Sequence, residues 1–148
     1  MRARDLAVPF PTVLPTTLAL DAARLLAAQN LPGLIVVDDR GRPRSILPGT
    51  QVLRLAVPSY IQDDPALARV IDEKDADAFC EELGVRTVAE CMPAQPRELP
   101  VVAGDATVLE IAALMARSRS PLVAVVDETG ALAGAVTLDA LLDRLLGT

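Results

Sequence analysis

The sequence predicts an α/β fold made from one helix–strand–hairpin–strand–helix unit used twice. Three observations carry this: a segment recurs at a fixed offset, two amphipathic helical patterns each stop at a proline, and two Asp-to-Gly turns each lie between short apolar runs. Repeats are sought before motifs, because a duplicated unit decides the architecture. Residues 16–55 laid over 105–144 without a gap give ten identities in forty, among them Ala23/Ala112, Pro32/Pro121, Val37/Val126, Asp38/Asp127 and Gly41/Gly130. That is more than an Ala- and Leu-rich chain supplies by chance, and the order of elements in the two copies agrees.

Each copy opens on a helix. Leu18, Ala22, Leu25 and Leu26, and again Val108, Ile111, Ala112 and Met115, recur at the three-to-four spacing that lines one helix face. Pro32 and Pro121 stop these helices and lead into Leu34–Val37 and Leu122–Val126, whose length and branched residues suit buried strands. Asp38-Asp39-Arg40-Gly41 and Asp127-Glu128-Thr129-Gly130 follow, where Asp can bond nearby backbone and Gly can take a positive φ; each is a reverse turn. A second strand then runs to about Leu47 or Val136, and a short helix follows at Thr50–Ala56 or Leu138–Leu146, with Thr50 as the expected N-cap of the first.

A proline-rich lead precedes each unit, Val8–Val13 and Met92–Val102, and supplies a first short strand. Neither copy has enough apolar surface to bury its own sheet face, so the two are expected to pack sheet to sheet as a single domain over residues 1–148. The first repeat is placed at 3–57 and the second at 87–147. Residues 58–85 have no counterpart in the second copy and read as a helical insertion. Asp64-Pro65 opens one helix of it, with Leu67, Val70 and Ile71, while Ala76, Phe79, Cys80 and Leu83 mark another that ends at Gly84. Phe79 is expected to cover an edge of the same domain, and the acidic stretch from Asp72 to Asp75 to be solvated helix surface.

A chain of 148 residues can bury roughly 68–70% of its unfolded surface, and with only Phe10, Phe79 and Tyr60 as aromatics that core is aliphatic. No apolar run approaches the roughly 20 residues that span a bilayer, and no signal segment follows Met1, so membrane insertion is not expected and the location is read as cytoplasmic. Cys80 and Cys91 lack disulfide or zinc spacing and read as small core thiols. A net charge of −6 with scattered arginines argues against a nucleic-acid partner; Arg40, Arg42 and Arg44 form the densest cluster and read as a solvated face. The absence of histidine removes the commonest general base and imidazole ligation, and no P-loop or GxGxxG is present, so the chain is read as not an enzyme.

The residues resemble a tandem pair of cystathionine-beta-synthase-type (CBS) repeats, often called a Bateman module. The likeness rests on Glu90-Cys91-Met92-Pro93, the helix entered through Thr107-Val108, the Pro121–Gly130 stretch, and Gly134-Ala135-Val136-Thr137. It implies two β-α-β-β-α repeats related by pseudo-twofold symmetry, often as a homodimer. It further implies clefts between the repeats that in many relatives bind AMP, ADP, ATP or an S-adenosyl compound.

In nucleotide-binding relatives the strand-to-helix junction reads Gly, two apolar residues, Thr or Ser, two residues, then Asp. Thr137 matches, but Ala140 stands where the acid is expected and the acid is at Asp139, turned by about 100° around the helix. In the first copy Pro48 and Gln51 occupy these positions, so that half-site lacks both groups. The same mapping nominates Val101 and Val102 on the lead strand, Arg119, Ser120 and Pro121 at the strand entrance, and Val123 along it. Two functional classes follow. One is a non-catalytic ligand-sensing module that signals to a separate effector, an enzyme or transporter; the other is a dimerisation or interaction module with empty clefts.

Overall fold

The computed structural model describes residues 1–31, 33–57, 59–70, 73–95 and 98–147. The first repeat comprises strand β1 (Thr12–Val13), helix α2 (Ala19–Gln29), strands β2 (Gly33–Val37) and β3 (Pro43–Pro48) and helix α3 (Gly49–Ala56), preceded by a one-turn helix α1 (Ala3–Leu6). The second comprises β4 (Val101–Ala103), α7 (Val108–Ser118), β5 (Leu122–Val126), β6 (Leu132–Thr137) and α8 (Leu138–Leu146). From β1 to α3 and from β4 to α8, corresponding elements start 89 residues apart. Left-handed C-caps fall at Asn30 and Arg119, and positive-φ turn glycines at Gly41 and Gly130. Each repeat forms a three-stranded sheet, in the orders β1-β2-β3 and β4-β5-β6. In the second sheet β4 runs parallel to β5, pairing Val101 with Ala124, and β5 runs antiparallel to β6, pairing Leu122 with Thr137.

The turns close as their residue types dictate. Asp38 Oδ1 accepts the backbone N–H groups of Arg40 and Arg42 at 2.9 and 3.0 Å, and Asp127 Oδ1 accepts those of Thr129 and Ala131 at 2.8 and 3.2 Å and the Thr129 hydroxyl at 2.6 Å. These donors favour the ionised carboxylates. The Arg42 N–H is the largest cause for Asp38 and the Thr129 hydroxyl for Asp127, and both acids are held below their ordinary range. A depressed carboxylate stabilises the fold above its unfolded value, near 3.9, and that contribution disappears as pH falls through the folded-state value. Stability measured by urea unfolding is therefore expected to decline below about pH 4, and Asp38→Asn with Asp127→Asn to flatten that part of the profile. An unchanged acid limb in the double variant would assign the loss to other carboxylates.

Helix α4 (Ser59–Asp63), a 3-10 segment (Pro65–Val70) and helix α5 (Glu73–Val85) lie between the repeats, followed by one-turn helix α6 (Val88–Cys91). The helix expected after Asp64-Pro65 is thus a 3-10 segment, started by the Asp64 carboxylate accepting Ala66 N–H at 3.3 Å, and α5 continues one residue past Gly84. Pro32, Ile71 and Asp72 lie outside the described residues, as do the side chains of Glu73, Lys74, Asp75 and Phe79. Two further expectations are corrected. The N-cap of α3 is Pro48, not Thr50, because the extended Pro48 backbone (φ −65°, ψ 146°) places Gly49 as the first helical residue. Cys91 is buried, and burial pushes its thiol up, but Cys80 is exposed and is not a core thiol.

The contacts group the chain into two compact units: Met1–Thr12 with Ile35–Ile46 and Arg97–Thr148, and Val13–Leu34 with Leu47–Pro96. The short leader helices are exchanged between repeats. In the first unit Ala3 and Arg4 donate to Ala106 O and Gly104 O, and Val8 exchanges two backbone hydrogen bonds with Ala135 at 3.0 Å each. In the second unit Val88 and Ala89 donate to Thr17 O and Pro15 O, while Thr87 caps α6 in a reciprocal box with Glu90. Arg86 ties α5 to α6 by pairing with Glu82 at 2.7 Å and Glu90 at 2.9 Å.

The first unit holds two apolar clusters, one on each face of the second sheet. Val102, Val123, Val125 and Val136 pack beneath Ile111, Met115 and Leu141 of the two long helices. On the other face Leu122, Ala124 and Ala135 pack against Leu99 and against Ile35, Val37 and Ile46 from the first sheet. Because β5 is covered on both sides, its run of five apolar residues carries no polar alternation.

Candidate functional site

The parallel β4/β5 register and the antiparallel β5/β6 register bring three chain segments to one end of the second sheet: the start of β4, the entrance to β5, and the β6–α8 junction. Pro121 O accepts Leu138 N–H at 3.0 Å, and Pro100 O accepts Ala124 N–H at 2.9 Å, which pins these segments together. Val101, Ser120, Pro121, Thr137 and Asp139 therefore share this end, with Arg119 one residue before the β5 entrance.

Thr137 is half-buried and acts as N-cap of α8: its hydroxyl oxygen accepts Ala140 N–H at 3.2 Å, satisfying one of the helix's unpaired donors. Its O–H hydrogen is left to donate. Asp139, exposed in the first turn, complements the positive end of the helix but does not cap it. Arg119 ends α7 in the left-handed conformation with an exposed side chain. Ser120 is buried, and its hydroxyl donates to Leu122 O at 2.7 Å and accepts Leu122 N–H at 3.3 Å, so it shapes the strand entrance. Val102 and Val123 point into the helix-side core, whereas Val101, on the opposite face, is 44% exposed.

The first-copy counterparts differ in chemistry as well as in identity. Pro48 offers no hydroxyl, and Gln51 Nε2 donates to Cys91 O at 2.8 Å, so that side chain ties α3 to α6.

Two cavities of the first unit are lined by residues nominated from sequence, and a third is not. Arg119, Ser120 and Pro121 line an apolar groove of about 430 Å³ with Leu138, Leu141 and Leu142 between α7 and α8. Val101 lines a smaller cleft of about 260 Å³ with Arg42, Arg44 and Asp38. A third cavity, about 850 Å³, lies at the hairpin end of the sheet among Arg4, Asp105, Asp127 and Thr129, and contains none of the residues nominated from sequence. Arg4 was missed because α1 is a single turn, too short to show a helical period, although Asp5 accepting Arg2 N–H at 2.8 Å marks its start. Among the described residues no helix is long and apolar enough to cross a membrane.

The CBS domain family model matches residues 3–57 and 95–147, most of the chain and both copies. The chain belongs to the CBS domain family. Residues 87–94, placed in the second repeat from sequence, lie outside the matched span of this CBS pair and pack in the second unit. A CBS domain-containing protein of unknown function from Kribbella flavida is 52% identical, with 99% of each chain covered and a TM-score of 0.90. CBSX2, a CBS-pair protein of Arabidopsis thaliana, has a structure in complex with AMP that is 23% identical over 99% of this chain and 96% of that one, TM-score 0.68. The cytosolic domain of the Mg2+ channel MgtE in complex with ATP is 26% identical over 94% of this chain but 46% of that one, TM-score 0.63. No curated protein matches the chain.

Proposed function

We propose that this CBS pair is a non-catalytic regulatory module. It takes an adenine nucleotide or related adenosyl ligand at the strand end of the second repeat and passes the change to a separate effector protein. The observation that carries the reading is the convergence of Arg119, Pro121 and Thr137 at the β5 entrance and the N-terminus of α8, where Pro121 O accepts Leu138 N–H. There the helix's unpaired N–H groups favour an anion, the Thr137 O–H can donate to a phosphate, and Arg119 can add a charged donor. The MgtE domain, 26% identical and crystallised with ATP, supports the ligand class. A ligand that binds one arrangement of the repeats better shifts the population toward it, and an effector reads that shift. We read the module as a cytoplasmic homodimer, since Leu138, Leu142 and Leu145 leave an exposed apolar stripe along α8.

Titration calorimetry and thermal shift against AMP, ADP, ATP, S-adenosylmethionine and NAD test the reading. A ligand at a hundred times its Kd adds about 2.7 kcal/mol of stability. Thr137→Val is expected to weaken nucleotide binding about tenfold, the loss of one charge-assisted hydrogen bond, while Thr137→Ser retains it. No shift with any of these compounds at millimolar concentration would overturn the reading. Pro48 and the engaged Gln51 favour a second one in that event, an interaction module with empty clefts.

A further inference from the structure

The cavity at the hairpin end of the second sheet shares no residue with the strand-end site and differs from it in charge. Its volume of about 850 Å³ falls within the roughly 300–1,000 Å³ of small-molecule sites. Two pieces of chain far apart in sequence build it. The N-terminal strap, residues 1–8, supplies Arg4 and Ala7, and the second repeat supplies the end of β4 through Asp105 and the β5–β6 turn at Asp127, Glu128 and Thr129. Ala3 N–H and Arg4 N–H donate to Ala106 O at 2.8 Å and Gly104 O at 2.9 Å, and the Ala3 side chain is fully buried in the helix-side core. Gly104 permits this approach, since a Cβ there would lie 3.4 Å from Arg4 Cβ.

The walls divide by polarity. Ala7, Ala103, Val125, Val126 and Ala133 form an apolar floor, where Ala133 is the extra residue of a bulge that pairs Val125 with Gly134 and Val126 with Leu132. Around it stand the Arg4 guanidinium and the carboxylates of Asp105, Asp127 and Glu128. Asp127 Oδ1 is taken up by its own turn. Neither Arg4 nor Asp105 nor Glu128 forms a salt bridge among the described residues. The strap's other arginine, Arg2, donates to the Asp105 main-chain oxygen at 3.0 Å and does not line the cavity. The repeat architecture does not demand this set. The turn acid recurs as Asp38 and Asp127, but 89 residues before Asp105 and Ala133 stand Thr16 and Arg44.

We infer that this cavity is a second ligand site, for an amino acid with a basic side chain, and that its occupation clamps the N-terminal strap to the second repeat. Arg4 receives the α-carboxylate, which a guanidinium binds bidentately. Asp105, Glu128 and the second oxygen of Asp127 receive the α-ammonium and the side-chain cation, while the aliphatic stem lies on the floor. One anion and two cations on the ligand thus meet one guanidinium and three carboxylates on the protein. A phosphate faces a net negative rim here, so this site is separate from the nucleotide site and does not rest on it.

Calorimetry on the full chain with lysine, with norleucine, which lacks the second cation, and with cadaverine, which lacks the carboxylate, tests the inference. Lysine is expected to bind about tenfold or more tightly than either analogue, each of which forgoes charge-assisted bonds. Amide exchange at Val8 and Ala135 is expected to slow with lysine, because the ligand holds only the docked strap. R4Q is expected to weaken lysine about tenfold and leave cadaverine unchanged, and D105N/E128Q to weaken both. The second variant alters no group of the strap, so it tests the site even if R4Q loosens the strap. No lysine binding at millimolar concentration would overturn the inference, as would an analogue binding as tightly as lysine. A lysine affinity unchanged in D105N/E128Q, or a lysine signal that ATP competes away, would remove the site from this cavity. Binding without slower exchange at Val8 would overturn the clamp.

Discussion

Replacing Ile111 by alanine is expected to lower the unfolding free energy by about 2–5 kcal/mol, the range for truncating a large aliphatic side chain in a packed core. Ile111 is fully buried on α7 and faces Val102, Val123 and Val136 of the sheet and Leu141 of α8. Its removal deletes three heavy atoms from the layer that joins both helices to the strands. Urea unfolding measures the loss, and a change under about 1 kcal/mol would show that the layer collapses around the gap. The same layer separates two roles that the sequence runs together. Val123→Ala is expected to cost about 1–3 kcal/mol for a buried valine while leaving the ligand affinity of the folded protein unchanged, because the side chain faces the helices.

The duplication was legible because its signals are local. Helix faces repeat every three to four residues, and the Asp-to-Gly turns close on their own backbone, so Asp38 and Asp127 could be assigned before any coordinates. The face of a fully buried strand is a different matter. With Leu122 through Val126 apolar throughout, nothing in β5 itself distinguishes Val123, under the helices, from Leu122 and Ala124, against the first sheet. Val101 and Val102 present the same ambiguity on β4, and only the packing resolves it. The leader helices are four residues each, barely one helical turn and too short for an apolar position to recur, although the Thr87…Glu90 box was a readable start for α6. Their exchange between repeats depends on contacts about a hundred residues apart, such as Arg2 Nη1 donating to Asp105 O, and no local rule reports those. Pro48 misled for a physical reason. A proline lacks only the N–H that a helix start does not use, so it served as N-cap where a hydroxyl was expected.

Gly134→Ala is expected to detach the N-terminal strap from the second repeat, at a cost of about 1–3 kcal/mol for forcing atoms into a closed contact. A Cβ at this position would lie 2.9 Å from Val8 O and 3.2 Å from Ala7 Cβ. The first of these is a backbone atom, which cannot turn aside as a side-chain tip would. Val8 must withdraw, and its two hydrogen bonds with Ala135 are lost with it. Amide hydrogen exchange at Val8 and Ala135 is therefore expected to accelerate, with α7 and β5 keeping their protection. A double-mutant comparison isolates the cause, since two changes acting on one contact are not additive. In a chain lacking residues 1–8 the alanine has nothing to strike, so Gly134→Ala should be nearly neutral there. An equal cost in both backgrounds would place the strain within β6 itself and remove the strap from the explanation. Because Ala135 lies two residues before Thr137 on the same strand, thermal shift with ATP on the two chains also reports whether the strap steadies the strand that carries the α8 cap.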